Sequence, residues 1–171
     1  MVDEVTVTEA ERQRRRRDEL GLVSFGFFLF LIGVIYVLNP DVGGEIADFF
    51  RDLRLTPVAP GVLLPAPGRN HPELYLALEE FALIYGIFQI AILAARFTIG
   101  SPLSQKASTV SGIIFWLGIG FLFELLASGI ISWFEFVTAT VIVVGLGLVG
   151  QGATLAIGRS TERPQRQMLT S

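Results

Sequence analysis

Four stretches of this chain stay apolar for long enough to cross a lipid bilayer, and the polar residues are distributed around them. Leu20–Leu38 carries no charge, and Leu74–Ala95 is interrupted only by Glu79, Glu80 and Gln89. Val110–Leu126 and Phe136–Ile157 are almost wholly apolar. About 20 apolar residues in a helix cover a hydrocarbon core of roughly 30 Å. The pattern predicts an all-α membrane protein: four transmembrane helices, at about 20–38, 74–96, 109–127 and 136–157, in an antiparallel bundle. Residues 20–158 form the membrane domain, between polar tails at 1–19 and 159–171.

The connection 39–73 carries its own pattern. Asn39-Pro40-Asp41 and Gly43-Gly44 break the first span. Ile46, Phe49, Phe50 and Leu53 then recur at helical spacing, opposite Glu45, Asp48, Arg51 and Asp52, which predicts a short amphipathic helix over 44–54. Between two spans, such a helix is expected in the interface, aromatic face toward lipid or the bundle; a partner-binding helix is the rival reading. In Thr56–Gly68, four prolines among apolar residues argue against a helix and a central strand, so an extended loop over the bundle end is expected. Asn70 is the expected cap of the next helix, with Pro72 in its first turn and Glu73 at its third position. Short links with Gly100 and Pro102, and then within Ser128–Glu135, make the last three spans antiparallel neighbours.

Charge orients this arrangement. Arg12, Arg14, Arg15, Arg16, Arg17, Arg96, Lys106, Arg159, Arg163 and Arg166 fall on one side of the four spans; only Arg51, Arg54 and Arg69 fall on the other. Basic residues near span ends stay cytoplasmic. Both termini are therefore expected in the cytoplasm and the 39–73 loop outside, in a multi-pass plasma-membrane protein. Arg12 and Arg14–Arg17 set orientation, with anionic lipid headgroups as a further partner diluted by Glu9, Glu11, Asp18 and Glu19. No aromatic residues are interleaved with them, which argues against nucleic acid. The first span is longer than a signal-peptide core and no small-x-small site follows it, so a retained anchor is expected.

Small and polar residues form stripes on three spans. Glu79, Ala82, Gly86 and Gln89 share one side of the second; Gly112, Trp116, Gly120 and Glu124 share one side of the third. On the fourth, Gly147, Gly150, Thr154 and Gly158 align, with Gly145 and Gly152 as a second notch. Small residues let helices approach closely in lipid, and polar groups there normally face protein. The stripes are expected to face one another. The run Gly145-Leu146-Gly147-Leu148-Val149-Gly150 matches a dinucleotide-binding turn in letters only. It lies inside an apolar span, and too few residues follow for a second strand.

Carboxylates are the remaining candidate chemistry. Counting helix rise, Glu79 and Glu80 lie roughly 8 Å inside Leu74, and Glu124 about 21 Å beyond Val110. With Glu135 at the start of the fourth span, four acids fall at one depth, with Arg69 and His71 as the nearest compensating groups. Crowded carboxylates in low dielectric retain a proton or bind a cation, unless they are simply hydrated at headgroup level.

Without cysteine, the chain holds no disulfide or thiolate metal site, and its single histidine, His71, has no nucleophile motif near it. His71 reads as a helix-start residue, and no cofactor or metal site emerges. Three functions remain: a non-catalytic subunit or scaffold packing against itself or a membrane partner; an oligomeric proton or cation channel or transporter component using Glu124 with Glu79 or Glu80; and a membrane enzyme, for which no residue set is present. The first is the expected one. Gln89 and Gln151 are the only strongly polar residues in the inner half, which counts against a continuous hydrophilic path.

Overall fold

The computed structural model describes the backbone of residues 2–168 and the side chains of residues 20–158. In chain order it contains α1 (Val2–Leu38), α2 (Val42–Asp52), β1 (Leu53–Ala59), β2 (Val62–Pro67), α3 (Pro72–Thr98), α4 (Leu103–Ala127) and α5 (Trp133–Met168). Four segments are long and apolar enough to cross a membrane: Leu20–Leu38, Pro72–Thr98, Leu103–Ala127 and Trp133–Gly158. The backbone of α1 stays helical through Arg12 and Arg14–Arg17, whose side chains lie outside the described residues. Likewise α5 continues past Gly158 into the stretch expected to be a polar tail.

Helix α3 packs along α4, α4 along α5, and α1 along α3. Glycine sets how closely. A Cβ on Gly86 would stand 2.6 Å from Leu117 Cδ2 and 3.2 Å from the Leu117 backbone nitrogen; one on Gly120 would stand 2.7 Å from Leu83 Cδ2. These pairs run in opposite sequence directions, so α3 and α4 are antiparallel. On the other flank of α4, Gly147 meets Ser111 and Gly158 meets Leu103, again antiparallel, and Gly150 meets the tip of Ile114 between them. Gly112 and Gly145, expected in the packing stripes, face open space. Gly118, outside the stripes drawn from sequence, meets Val143 instead.

Aromatic rings seat α1. Phe27 stacks on Phe88 at 3.8 Å between centroids, and Phe28 meets Phe81 and Tyr85 edge-on. The Ser24 and Tyr85 hydroxyls share a hydrogen bond of 3.2 Å. Helices α3 and α4 both end on a glycine with positive φ, Gly100 at 65° and Gly129 at 71°. In each, the next residue's N–H donates back into the last turn, Ser101 to Arg96 and Ile130 to Leu125. That closure turns the chain without spending residues, which keeps both links short.

Two sequence expectations need correction. The proline-rich segment is a paired ribbon, β1 against β2, antiparallel from Leu53↔Pro67 to Ala59↔Val62, so the fold is not purely helical. Proline is excluded from central strands because it lacks an N–H, but in a two-stranded ribbon both strands are edges. Pro60 and Gly61 form the tip, and Gly61, at φ 78°, takes the left-handed conformation the turn requires. The second correction concerns α3, whose cap is His71 rather than Asn70, with Pro72 first in the helix. The Asn70 amide instead donates to the Ala127 carbonyl at 3.4 Å, tying the start of α3 to the end of α4.

Candidate functional site

The polar chemistry gathers where α2, the ribbon and the starts of α3 and α5 meet. His71 is 2% exposed and is among the largest fully buried side chains. Its Nε2 lies 3.3 Å from Asp52 Oδ2, and its Nδ1 lies 3.9 Å from Glu45 Oε2. Both carboxylates come from α2, seven residues apart, so two turns of one helix face reach the two sides of one ring. Phe49, from the same helix, closes edge-on over the imidazole at 5.6 Å, and Tyr75 does so from α3 at 6.4 Å. A ring held this way is fixed in position and orientation.

Asp52 is the hub. It accepts the Arg69 backbone N–H at 2.8 Å and pairs with Arg54 at 3.6 Å. A Cβ at Gly68 would come within 2.9 Å of Asp52 Oδ1 and 3.0 Å of Arg54 Nε, so a side chain there would push against the Asp52–Arg54 pair. Arg69 also reaches Asp48 at 3.6 Å. Partial burial pushes the Asp52 carboxyl up, but the Arg69 amide, the His71 ring and Arg54 outweigh it and hold it below its ordinary range. A carboxyl depressed on folding stabilises the fold fully above its unfolded value, near pH 4, and loses that contribution as pH falls through the lower folded value. Exchange protection of the α2 amides should therefore hold from neutral pH to about 4 and drop below it. In Asp52→Asn the same drop should be absent.

The carboxylates singled out by sequence separate into two groups. Glu79, half-buried on α3, lies within hydrogen-bonding reach of Glu124 on α4, with Glu80 also close. Glu80 and Glu124 are exposed, so the pair opens onto the outside of the α3–α4 seam. Glu135 does other work. Its Oε2 accepts the Ser132 N–H at 2.7 Å, and its own N–H approaches Ser132 Oγ at 3.5 Å, which is a capping box at the start of α5. Arg69 and His71, expected to compensate the four acids Glu79, Glu80, Glu124 and Glu135, are engaged by Asp48, Asp52 and Glu45 instead. Gln89 is half-buried on α3, and Thr154 donates its hydroxyl to the Gly150 carbonyl at 2.8 Å.

The sequence reading missed Asp52 and Glu45 as partners of His71. A signal was present: the acids on the polar face of α2 are matched by Arg69 and His71 at the far end of the same loop. Among the described residues, no group of three His, Asp or Glu side chains is placed to hold a metal ion. Comparison with protein-family models, with curated proteins and with solved structures gives no match.

Proposed function

We propose that this chain is a small integral membrane protein that crosses the plasma membrane four times and acts without catalysis. Both termini lie in the cytoplasm, and the protein works by packing against copies of itself or against a membrane partner. The observation that carries this reading is the outward face of α5. Val141, Ile142, Leu148, Val149 and Ile157 are each at least 60% exposed, and a Cβ on Gly145 or Gly152 would meet nothing within 4 Å. Lipid covers exposed apolar side chains without cost, but bare glycine backbone favours the close approach of another helix. The buried polar junction at His71 supports a scaffold role, since its groups are spent on one another.

Purification in mild detergent, with mass measurement and identification of co-purifying chains, tests the proposal. A discrete oligomer or a defined complex is expected, and Gly145→Leu combined with Gly152→Leu should dissolve it while leaving the monomer folded. A monodisperse, partner-free monomer would overturn the reading. A reporter fused after Ser171 that works only when exported would overturn the topology.

The Glu79–Glu124 contact favours a second reading, an oligomeric proton or cation pathway entered from outside. In proteoliposomes carrying a pH-sensitive dye, this reading expects a proton flux that Glu124→Gln removes. A scaffold expects no flux in either protein.

A further inference from the structure

Two cavities share Val42 in their walls. The first is a slot of about 300 Å³ between α1, α2 and α3, with an apolar lining throughout. It follows α1 from Phe28 to Tyr36, about 12 Å of helix. That is close to the acyl depth of one leaflet, half of a core of roughly 30 Å. Phe81 and Leu74 flank it on α3, and Ile46 of α2 reaches it where α1 ends. The chain leaves this slot open: Tyr36, Ile46 and Leu78, all on its wall, are 58%, 42% and 37% exposed.

The second cavity, about 160 Å³, lies just past the end of α1 and has the opposite character. Asn39, Asp41, Glu45 and Glu73 line it, and no basic residue does. Glu45 leans toward His71, but among the described residues the Asp41 and Glu73 carboxylates have no ion pair or hydrogen bond. An apolar slot therefore borders a patch of negative charge. A fatty acid or an acidic lipid would set its own anion against three carboxylates. A free cation would leave the slot empty.

We propose that the two neighbouring cavities together bind one phospholipid bearing an amino headgroup, with one acyl chain along α1 and its ammonium among Asp41, Glu45 and Glu73. The inference rests on the four-span reading, because it needs α1 and α3 to stand in a leaflet. The test equilibrates detergent-purified protein with mixed micelles of equal phosphatidylethanolamine and phosphatidylglycerol, and reads retained lipid by native mass spectrometry. One phosphatidylethanolamine per chain is expected, favoured about fivefold over phosphatidylglycerol, in line with weak, partly exposed ion pairs. Asp41→Asn with Glu73→Gln should abolish the preference but keep one lipid bound. Ile46→Trp or Leu78→Trp, each filling the slot from its rim, should remove the lipid itself. Equal retention of both lipids by the unaltered protein would overturn the proposal, as would a preference that survives the Asp41 and Glu73 changes. A chain that stays in solution without detergent would overturn the four-span reading instead.

Discussion

Replacing Gly86 with leucine is expected to destabilise the protein by about 3 kcal/mol or more, at the upper end of overpacking costs. The added Cβ alone would stand 2.6 Å from Leu117 Cδ2 and 3.2 Å from the Leu117 backbone nitrogen. A side-chain tip can swing away, but a helix backbone cannot, so α3 and α4 must separate along their whole contact. Gly120, seated one turn away against Leu83 and Ala82, would lose its fit in the same movement. Gly112→Leu provides the contrast, because nothing lies within 4 Å of its Cβ position. Thermal unfolding in detergent should show a large loss for the first variant and almost none for the second. Equal losses would mean that the α3–α4 approach does not set the cost, since leucine favours helix over glycine at both positions.

His71→Ala is expected to cost on the order of 3 kcal/mol, combining a buried cavity with lost hydrogen bonding to a charged partner. The effect should be regional. The ring is the piece that Asp52 and Glu45 of α2 both face, and Phe49 packs on it. Hydrogen exchange should show α2 and the ribbon opening, while the α3–α4 contact stays protected. His71→Phe keeps most of the ring volume but removes both nitrogens, so it divides packing from polar contact. Protection at the wild-type level in that variant would show that the two carboxylates contribute nothing to docking.

The four long apolar helices were legible because an apolar run of this length is most simply satisfied by a helix, which pairs its own backbone. Their ends moved outward by a few residues where caps and glycine closures extend them, as at Pro72 and at Gly100. The ribbon was not legible, because proline argues against strand at every position until the partner strand is known. The His71 junction was hidden for a related reason. Its contacts join residues 19 and 26 positions apart, from His71 to Asp52 and Glu45, and no local period encodes them. Glu135 is different: Ser132-Trp133-Phe134-Glu135 spells a capping box in four letters, so its role was available without a structure. Gly112 has no neighbour within 4 Å of its Cβ position among the described residues; helix spacing defines a stripe but not which part of it another helix of the same chain covers.

The ribbon is fastened at its base and free at its apex. The Trp133 indole donates to the Pro65 carbonyl at 3.1 Å, and Gly68 donates to the Asp52 carbonyl at 3.1 Å, whereas Ala59, Pro60 and Gly61 are exposed. Extra residues spliced between Pro60 and Gly61 would lengthen a loop that carries no ladder bond, leaving the anchored base undisturbed. A peptide epitope placed there becomes a flag on a short rigid mast. Antibody staining of intact against permeabilised cells would then report which way the mast points.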